Sequence, residues 1–145
     1  MKKYGVMIVG TGWVSGEHIR AFEMNEYAEV RAIVSRSYEK GRAKADEYHL
    51  GERCKVYTDY DEGLKDPDVD IVVICTPNDM HCEQTIKAAR AHKHILLEKP
   101  VALTWEDTLR MDKAVREAEQ FAAEDKKQRE AADIRNQADQ MGFQT

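Results

Sequence analysis

Cysteine and proline are both scarce in this chain of 145 residues. The three cysteines, Cys54, Cys75 and Cys82, are an odd number without a short paired spacing, which argues against a disulfide framework. Cys75 lies inside an apolar run and is predicted to be a small core residue. The histidines near Cys82 fit no spacing typical of metal ligands, so we predict no metal site.

Long hydrophobic runs are absent as well. The longest apolar stretches, 6–9 and 70–75, are far shorter than the roughly 20 residues that a membrane-spanning helix needs. Lys2 and Lys3 precede an apolar run, as in a signal peptide, but glycines interrupt that run and no small-residue cleavage site follows. These features predict a cytoplasmic protein without a membrane partner.

Positive charge does not predominate in the chain. Lysine and arginine number 22 against 27 aspartate and glutamate, a net charge of −5. No basic stripe is present to follow a phosphate backbone, so the composition argues against nucleic acid as a partner. The length suffices for one domain with a hydrophobic core.

Short apolar runs alternate with helical patterns along the first hundred residues. Strands are predicted at 4–9, 28–34, 56–57, 71–75 and 94–97. Helices are predicted at 14–26, 38–48, 60–65 and 80–91. Alternating strands and helices of this kind predict an α/β domain with a doubly wound parallel sheet, covered by helices on both faces.

Four distinctive residues, Gly10, Ser35, Thr76 and Glu98, each follow a predicted strand. The carboxyl ends of parallel strands meet at one edge of the sheet, where ligands of such folds bind. We therefore expect the four positions to converge on one binding site.

The turn Gly10-Thr11-Gly12 joins the first predicted strand to a helix. Glycines let the backbone approach a pyrophosphate, and the helix start offers free N–H groups and a positive dipole end. Ser15 stands where this fingerprint most often has glycine or alanine, which predicts a slightly wider spacing between helix and strand. An ordinary turn is the alternative, but the position between strand and helix favours a dinucleotide site.

Ser35, Arg36 and Ser37 follow the second predicted strand, where a dinucleotide fold contacts the adenosine ribose. An acidic residue at this point favours NAD, because it accepts a hydrogen bond from the ribose 2′-hydroxyl. A hydroxyl and a guanidinium instead suit a 2′-phosphate, so the sequence favours NADP over NAD. A solvent-facing arginine is the alternative reading of Arg36.

Glu98-Lys99-Pro100 follows the last predicted strand. Pro100 lacks an N–H and disfavours helical geometry at the residue before it, which restrains Lys99. An ammonium held in this way can bond the oxygen that becomes, or ceases to be, a carbonyl as hydride moves. Lys99 is therefore the candidate catalytic residue. A surface lysine beside an ion-paired glutamate is the alternative.

Neither glycine nor proline interrupts residues 101–141, and one long helix is predicted from 104 to 141. Thr104 followed by Asp107 resembles a capping box at its start. The first half of this helix carries an apolar stripe formed by Leu109, Val115, Ala118 and Ala122.

The composition changes in the second half of that helix. Residues 124–130, EDKKQRE, offer nothing to a core, which predicts a solvated or partner-facing segment. We accordingly divide the chain into a dinucleotide-binding domain, residues 1–118, and a polar helical extension, residues 119–145.

The motifs and their order resemble the glucose-fructose oxidoreductase, inositol dehydrogenase and MocA family of sugar and cyclitol oxidoreductases. The resemblance spans about residues 3–118 and is carried by GTGWVSGEHIRAF, AIVSRSYEKGRAKADEY and DPDVDIVVICTPNDMHCEQTIKAARAHKHILLEKPVALT. It implies a Rossmann-type domain that binds NADP or NAD, in an enzyme that transfers hydride between the nicotinamide and a secondary alcohol. His92 departs from a glycine that is common at the matching helix end.

The resemblance also implies roles for individual residues. The residues that would hold the pyrophosphate are Gly10, Thr11, Gly12, Trp13 and Val14. Those that would approach the ribose or line the cofactor cleft are Ser35, Arg36, Thr76, Pro77, Asn78 and His81. Glu98, Lys99 and Pro100 match the EKP signature of the family, with Lys99 near the nicotinamide and the substrate.

The family's second α/β domain, which supplies most of the sugar pocket and a histidine acid/base, has no counterpart in this sequence. We therefore expect a truncated protein that binds the dinucleotide, and that takes a small polyol or sugar only where a second domain is supplied. Without that base and the second wall of the site, hydride transfer should be very slow.

The C-terminal segment carries a second resemblance. About residues 112–141, particularly REAEQFAAEDKK and RNQADQM, the chain is similar to the start of the helical lid of DnaK-type chaperones. This suggests a chimera or a rearranged gene. An alternative function is a non-catalytic module for dinucleotide sensing or protein interaction through the helix. A third is a homo-oligomer in which another chain supplies the missing domain.

Overall fold

The computed structural model describes residues 2–142 of the chain. The strands are β1 Tyr4–Val9, β2 Ala28–Val34, β3 Lys55–Tyr57, β4 Ile71–Ile74 and β5 His94–Leu97. The helices are α1 Trp13–Glu23, α2 Tyr38–Glu47, α3 Tyr60–Leu64, α4 His81–Arg90 and α5 Trp105–Gly142. Every predicted strand and helix is present, with small shifts at the ends.

The five strands form one parallel sheet in the order β3-β2-β1-β4-β5. The chain runs outward from β1 to β3, then crosses to the other side of β1 and continues to β5. The order therefore reverses between β1 and β4, at the position where open parallel sheets bind ligands.

Apolar residues of the central strand β1 alternate between two cores. Val6 and Ile8 pack with Ile19 of α1 on one face of the sheet. Met7 and Val9 pack with Leu64 of α3 on the other face. Full burial of such side chains stabilises the fold by about 1.5–3 kcal/mol each. The prediction of a doubly wound sheet is confirmed.

A third core lies between α4 and the first part of α5. Met111 and Ala114 of α5 are buried against Cys82, Ile86 and Ala89 of α4. The start of α5 is capped as predicted, since the Thr104 hydroxyl accepts a hydrogen bond from the Asp107 N–H at 3.1 Å.

The predicted apolar stripe of α5 is only partly correct. Val115 and Ala118 are half-buried and pack on the third core, whereas Ala122 is exposed and Leu109 is 50% exposed. Leu109 precedes Ala118 by nine residues, which at 100° per residue is a rotation of about 900°, or two full turns and a half. Leu109 therefore lies on the opposite side of the helix from Ala118. The face that meets α4 is set by Met111 and Ala114 instead.

Beyond Ala118, the described side chains of α5 are almost all exposed, as the composition predicted. Among the described residues, a ring contact joins this part of the helix to the rest of the domain. The ring of Phe121 stacks on His92, with centroids 4.5 Å apart and planes at 22°. His92 itself follows α4 with a φ of 58°, so a histidine takes the left-handed turn that glycine favours.

Two features are absent from residues 2–142. No helix in this part of the chain combines the length and the apolar composition needed to cross a bilayer. The same residues contain no group of three or more His, Cys, Asp or Glu side chains that could hold a metal ion. The three cysteines are free thiols.

Candidate functional site

A cleft of about 650 Å³ opens at the carboxyl ends of β1, β2 and β4. We call it the strand-end cleft. Three strand-end segments line it, namely 10–12, 35–37 and 75–77, together with Lys40, Thr58, Tyr60, Met80 and Gln84. Three of the four strand-end positions singled out in the sequence therefore meet at one cleft. Glu98 is not among its lining residues.

The glycine turn forms one wall of the strand-end cleft. Gly10 has a φ of +107°, and a Cβ there would lie 3.0 Å from the carbonyl oxygen of Cys75. At Gly12, nothing lies within 4 Å of the position that a Cβ would take, so the space over the turn is open. Gly12 caps α1 without a side-chain hydrogen bond, and the first turn of α1 has no acidic residue. The helix start is thus suited to an anion.

Trp13, Val14 and Ser15 form the first turn of α1. Trp13 is 80% exposed, and neither it nor Val14 lines the strand-end cleft. Their predicted role in holding a pyrophosphate therefore depends on their backbone N–H groups. Ser15 is fully buried, and its hydroxyl donates to the Gly12 carbonyl at 2.5 Å.

The end of β2 brings two cations to the cleft. Arg36 and Lys40 both line it, and neither forms an ion pair with any described residue. The Ser37 hydroxyl caps α2 by accepting the Lys40 N–H at 3.3 Å, and the Ser35 hydroxyl accepts the Ser37 N–H at 3.3 Å. No carboxylate lines the cleft.

Lys40 was not selected from the sequence, and Ser37 was noted beside Arg36 without being assigned to the site. Ser37 and Lys40 are three positions apart at the start of a predicted helix, the same spacing as Thr104 and Asp107. That signal indicates a helix cap, and only the fold shows that the same turn of α2 faces the cleft.

Polar contacts hold the wall that follows β4. The Thr76 hydroxyl donates to the Gln84 side-chain oxygen at 2.5 Å, and the Tyr60 hydroxyl donates to the Gln84 carbonyl at 2.7 Å. Cys75 is half-buried in this wall, and burial raises the pKa of its thiol to about 12. The thiol therefore stays protonated at neutral pH and is a poor nucleophile.

His81 lies behind the cleft wall and not in it. Its side chain is almost fully buried at 1% exposure. Its Nδ1 lies 2.8 Å from the Pro100 carbonyl oxygen and its Nε2 lies 2.9 Å from the Thr76 carbonyl oxygen. The imidazole thus joins the segment after β4 to the segment after β5. Asn78 is exposed and also lies outside the cleft lining.

The carboxylate of Glu98 is held by a contact with helix α1. Its Oε1 lies 2.8 Å from Nε2 of His18 on α1, and its Oε2 accepts the Lys99 N–H at 3.2 Å. The hydrogen bond from His18 is the main cause that lowers the pKa of Glu98. His18 was not selected from the sequence, since nothing in its spacing points to β5.

Lys99 and Pro100 are exposed, and the peptide bond between them is cis. Within residues 2–142, the Lys99 ammonium has no hydrogen-bond or ion-pair partner. The carboxylate of Glu98 is paired with His18 instead. The ammonium is therefore available to a ligand, on a segment that His18 and His81 hold from two sides.

A glycine turn, an open helix start and two unpaired cations at the switch point of a parallel sheet define a dinucleotide-binding domain. Comparison with known families assigns it further. The model of the Gfo/Idh/MocA oxidoreductase family, described as an NAD-binding Rossmann fold, matches residues 4–125. The chain belongs to this family, and the predicted membership is confirmed.

Characterised relatives carry the same domain. The chain is 44% identical over 114 residues to a 1,5-anhydro-D-fructose reductase from Ensifer adhaerens, covering 79% of this chain and 32% of the relative. It is 35% identical over 109 residues to an inositol 2-dehydrogenase from Salmonella agona, covering 74% and 32% respectively. The chain thus spans about a third of the length of these relatives.

Solved structures show the same fold. A myo-inositol dehydrogenase from Lactobacillus casei, in complex with NAD(H) and myo-inositol, superposes with a TM-score of 0.72 at 32% identity. That match covers 78% of this chain and 33% of the neighbour. A variant of a 3-ketoreductase from Actinomadura kijaniata, in complex with TDP-benzene and NADP, gives 0.73 at 26% identity, covering 81% and 35%. Both dinucleotides therefore occur among the structural neighbours.

Proposed function

We propose that this chain is the dinucleotide-binding part of an oxidoreductase that transfers hydride between a nicotinamide and a secondary alcohol of a sugar or cyclitol. The observation that carries the proposal is the strand-end cleft, where an uncapped helix start meets two unpaired cations. The pyrophosphate is assigned to the turn at residues 10–14. The family match and the sugar and cyclitol enzymes among the relatives support the substrate class.

We assign NADP as the preferred cofactor. Arg36 and Lys40 present a guanidinium and an ammonium to the cleft, and the hydroxyls of Ser35 and Ser37 flank Arg36 in the chain. This donor set suits a phosphate on the ribose, whereas a 2′-hydroxyl would meet no carboxylate there. The charge of the cleft lining therefore supports NADP over NAD.

The nicotinamide, when bound, supplies or takes up the hydride. Lys99 is assigned as the residue that stabilises the charge developing on the substrate oxygen as a carbonyl forms or disappears. Glu98 and Pro100 orient Lys99, since their contacts with His18 and His81 hold both ends of this segment. The Glu98 carboxylate beside Lys99 is paired with His18, so we assign the proton transfer to a second domain and expect weak or no activity without it.

Dinucleotide titration tests the proposal. We expect NADPH to bind with a Kd at least about tenfold below that of NADH, since each charged hydrogen bond contributes about 1.5–3 kcal/mol. The double variant Arg36→Ala/Lys40→Ala should lose this preference while keeping NADH affinity, as measured by isothermal titration calorimetry. Lys126→Ala, on the exposed part of α5, is the matched control. Absence of binding by either dinucleotide at millimolar concentration would refute the proposal.

A second candidate is a non-catalytic interaction module that recruits a partner through α5. The exposure of residues 119–142 supports it. The resemblance to a DnaK-type helical lid that the sequence led us to expect over residues 112–141 is part of this proposal. In this proposal residues 1–118 form the dinucleotide domain and residues 119–145 the extension. In such a module, deletion of residues 119–145 would abolish partner binding and Lys99→Ala would leave it unchanged. If the chain is part of an oxidoreductase, Lys99→Ala should have the larger effect on function.

A further inference from the structure

His81, the first residue of α4, contacts a carbonyl oxygen with each of its two ring nitrogens. Nδ1 lies 2.8 Å from the Pro100 oxygen, and Nε2 lies 2.9 Å from the Thr76 oxygen. Both are ordinary hydrogen-bond distances. The residue is 1% exposed, so water does not compete for either nitrogen. The proton that each contact requires must therefore come from the ring itself.

A neutral imidazole cannot satisfy both contacts. Carbonyl oxygens accept hydrogen bonds and do not donate them. In a neutral ring one nitrogen carries a proton and the other presents a lone pair. Either tautomer of His81 would thus set a nitrogen lone pair against a carbonyl lone pair at less than 3 Å, which is repulsive in a buried place. An imidazolium, with a proton on each nitrogen, donates to both oxygens.

The two carbonyls have no other donor among residues 2–142. Thr76 and Pro100 lie outside the helices and strands, and neither oxygen accepts a backbone N–H of this part of the chain. The imidazole of His81 is thus the group that pairs them. Two hydrogen bonds from a charged ring are of the strong, charge-assisted kind, which offsets the cost of burying the charge.

The titratable groups around this contact favour a cation. They are Cys75 after β4, Asp79, Cys82 and Glu83 around the start of α4, Glu98 and Lys99 after β5, His18 of α1 on Glu98, and Asp107 and Arg110 of α5. Four of these groups are carboxylates, whereas only the lysine and the arginine are permanent cations. The dipole at the start of α4 opposes a positive ring, and the two hydrogen bonds outweigh it.

We infer that His81 is an imidazolium at neutral pH and a positioning residue for the proposed reaction. Its two N–H groups join Thr76, in the wall of the strand-end cleft, to Pro100, which follows Lys99. One buried ring thereby fixes the dinucleotide wall relative to the segment that carries the Lys99 ammonium. The positioning role rests on the proposed function, whereas the charge of the ring is independent of it.

Nitrogen-15 NMR of the histidine rings tests the charge in the full chain at pH 7 without dinucleotide. We expect Nδ1 and Nε2 of His81 both to show the shift of a protonated nitrogen. A neutral ring would show one protonated and one unprotonated nitrogen. His81→Gln assigns the signals by their loss, and His94→Gln, at an exposed position of β5, should leave them in place. An unprotonated ring nitrogen in His81 would overturn the inference.

Two amide variants separate the two hydrogen bonds. The side-chain nitrogen in His81→Asn takes the place of Nδ1 and keeps the bond to Pro100, whereas that in His81→Gln takes the place of Nε2 and keeps the bond to Thr76. We expect the larger change in carbonyl carbon-13 shift at Thr76 for His81→Asn and at Pro100 for His81→Gln. Equal changes at both carbonyls in the two variants would contradict the assigned contacts.

Dinucleotide affinity tests the positioning role. His81→Leu removes both bonds and should raise the Kd of NADPH at least about threefold, because the wall formed by Thr76 is no longer held in place. His94→Leu is the matched control and should bind as the unaltered chain does. Where His81→Leu does not fold by circular dichroism, His81→Asn takes its place in this comparison, since it also releases Thr76.

The outcomes separate the two proposals. Equal Kd values for the His81 and His94 variants would overturn the positioning role. Absence of dinucleotide binding by the unaltered chain would refute the proposed function and the positioning role together. The ring signals of His81 would still decide its charge, because they are recorded without dinucleotide.

Discussion

Two histidines on different helices position the segment that carries Lys99. His18 of α1 binds the Glu98 carboxylate, and His81 of α4 binds the Pro100 carbonyl. The residues on either side of Lys99 are thereby tied to the two helices that flank β1 and β4. The Lys99 ammonium itself remains unpaired among the described residues, which is the arrangement that a residue acting on a ligand requires.

Replacement of His18 should change the titration of Glu98. The hydrogen bond from His18 is the first cause of the lowered pKa, so in His18→Ala the pKa of Glu98 should rise toward its ordinary value of 4.5. Because the native pKa is depressed, the contact stabilises the fold above about pH 4.5 and is lost as the pH falls through the native pKa. Carbon-13 NMR titration of the carboxyl measures the shift. An unchanged pKa would contradict the assigned contact.

A buried carboxylate on the opposite end of the sheet permits a stability test. The side chain of Asp66 is 1% exposed and accepts hydrogen bonds from Tyr57 Oη at 2.7 Å and the Asp68 N–H at 2.9 Å. Burial acts to raise the pKa of Asp66, but these hydrogen bonds and Lys55 outweigh it, and the pKa lies below its ordinary value.

Tyr57→Phe should lower the free energy of unfolding by about 1–3 kcal/mol at pH 7, since it removes a hydrogen bond to a buried charge. The folded-state pKa of Asp66 is depressed, so this contribution is present above about pH 3.8 and fades as the pH falls through the native value. Urea unfolding at pH 7 and pH 3 measures both effects. Tyr27→Phe, at a 53% exposed position, is the control and should be neutral.

At the scale of elements, the two halves of helix α5 differ in how they are stabilised. It has 38 residues and is thus about 57 Å long at 1.5 Å per residue. Residues up to Ala118 are held by packing on α4, whereas the described contacts beyond it include the stacking of Phe121 on His92 and the surface ion pair Arg129–Asp125. Pairs of that kind on a helix surface contribute only about 0.2–0.5 kcal/mol each.

Two alanine substitutions on α5 separate the packed face from the exposed one. Met111→Ala should cost about 2–5 kcal/mol of unfolding free energy, because the side chain is 4% exposed in the third core. Leu109→Ala should cost less than about 1 kcal/mol, because that side chain is half exposed on the opposite side of the helix. Urea unfolding compares the two. Equal costs would show that α5 packs by a different face.

At the scale of the whole molecule, the end of the sheet beyond β4 is incompletely covered. β5 is an edge strand of the described sheet, and Leu96 on it is 43% exposed. Val101, Leu103 and Trp105 follow the Lys99 segment and are each more than half exposed. Exposed apolar residues concentrated in this way mark interaction surfaces. The chain spans about a third of its relatives, so this surface is where we place the contact with a second domain.

The proposed assignment of proton transfer to a second domain gives a prediction for activity. We expect the chain alone to bind NADPH yet to show no detectable turnover with myo-inositol and NAD or NADP, followed by absorbance of the reduced nicotinamide. The physical reason is that the Glu98 carboxylate beside Lys99 is paired with His18, and that the acid/base and the wall that excludes water are assigned to a second domain. Loss of general acid–base catalysis lowers the rate by about 10²–10⁴. Rapid turnover by the chain alone would refute the assignment of proton transfer to a second domain.

Prediction from sequence succeeded where the signal was local. Strand-length apolar runs and a capping residue such as Thr104 depend on neighbours within a few positions, and the elements they predict are present. It failed where one element meets another. Leu109 and Met111 are both apolar residues of one helix, and only the position of α4 decides which of them is buried.

The candidate site shows the same division. The glycine turn and Arg36 could be found from spacing after a strand, and both lie in the strand-end cleft. Lys40 reaches that cleft because α2 starts just after the carboxyl end of β2, and His18 reaches Glu98 across 80 positions of sequence. No periodicity connects residues so far apart, so only the fold could reveal these partners.

By itself, the sequence determined the alternation of strands and helices, the glycine turn, the family and the polar character of the last helix, because each depends on residue order over short distances. The tertiary structure decided which side chains share the strand-end cleft and which histidines hold the Lys99 segment. These are properties of packing between segments distant in the chain, where the geometry of the sheet and not the spacing of residues sets the distances.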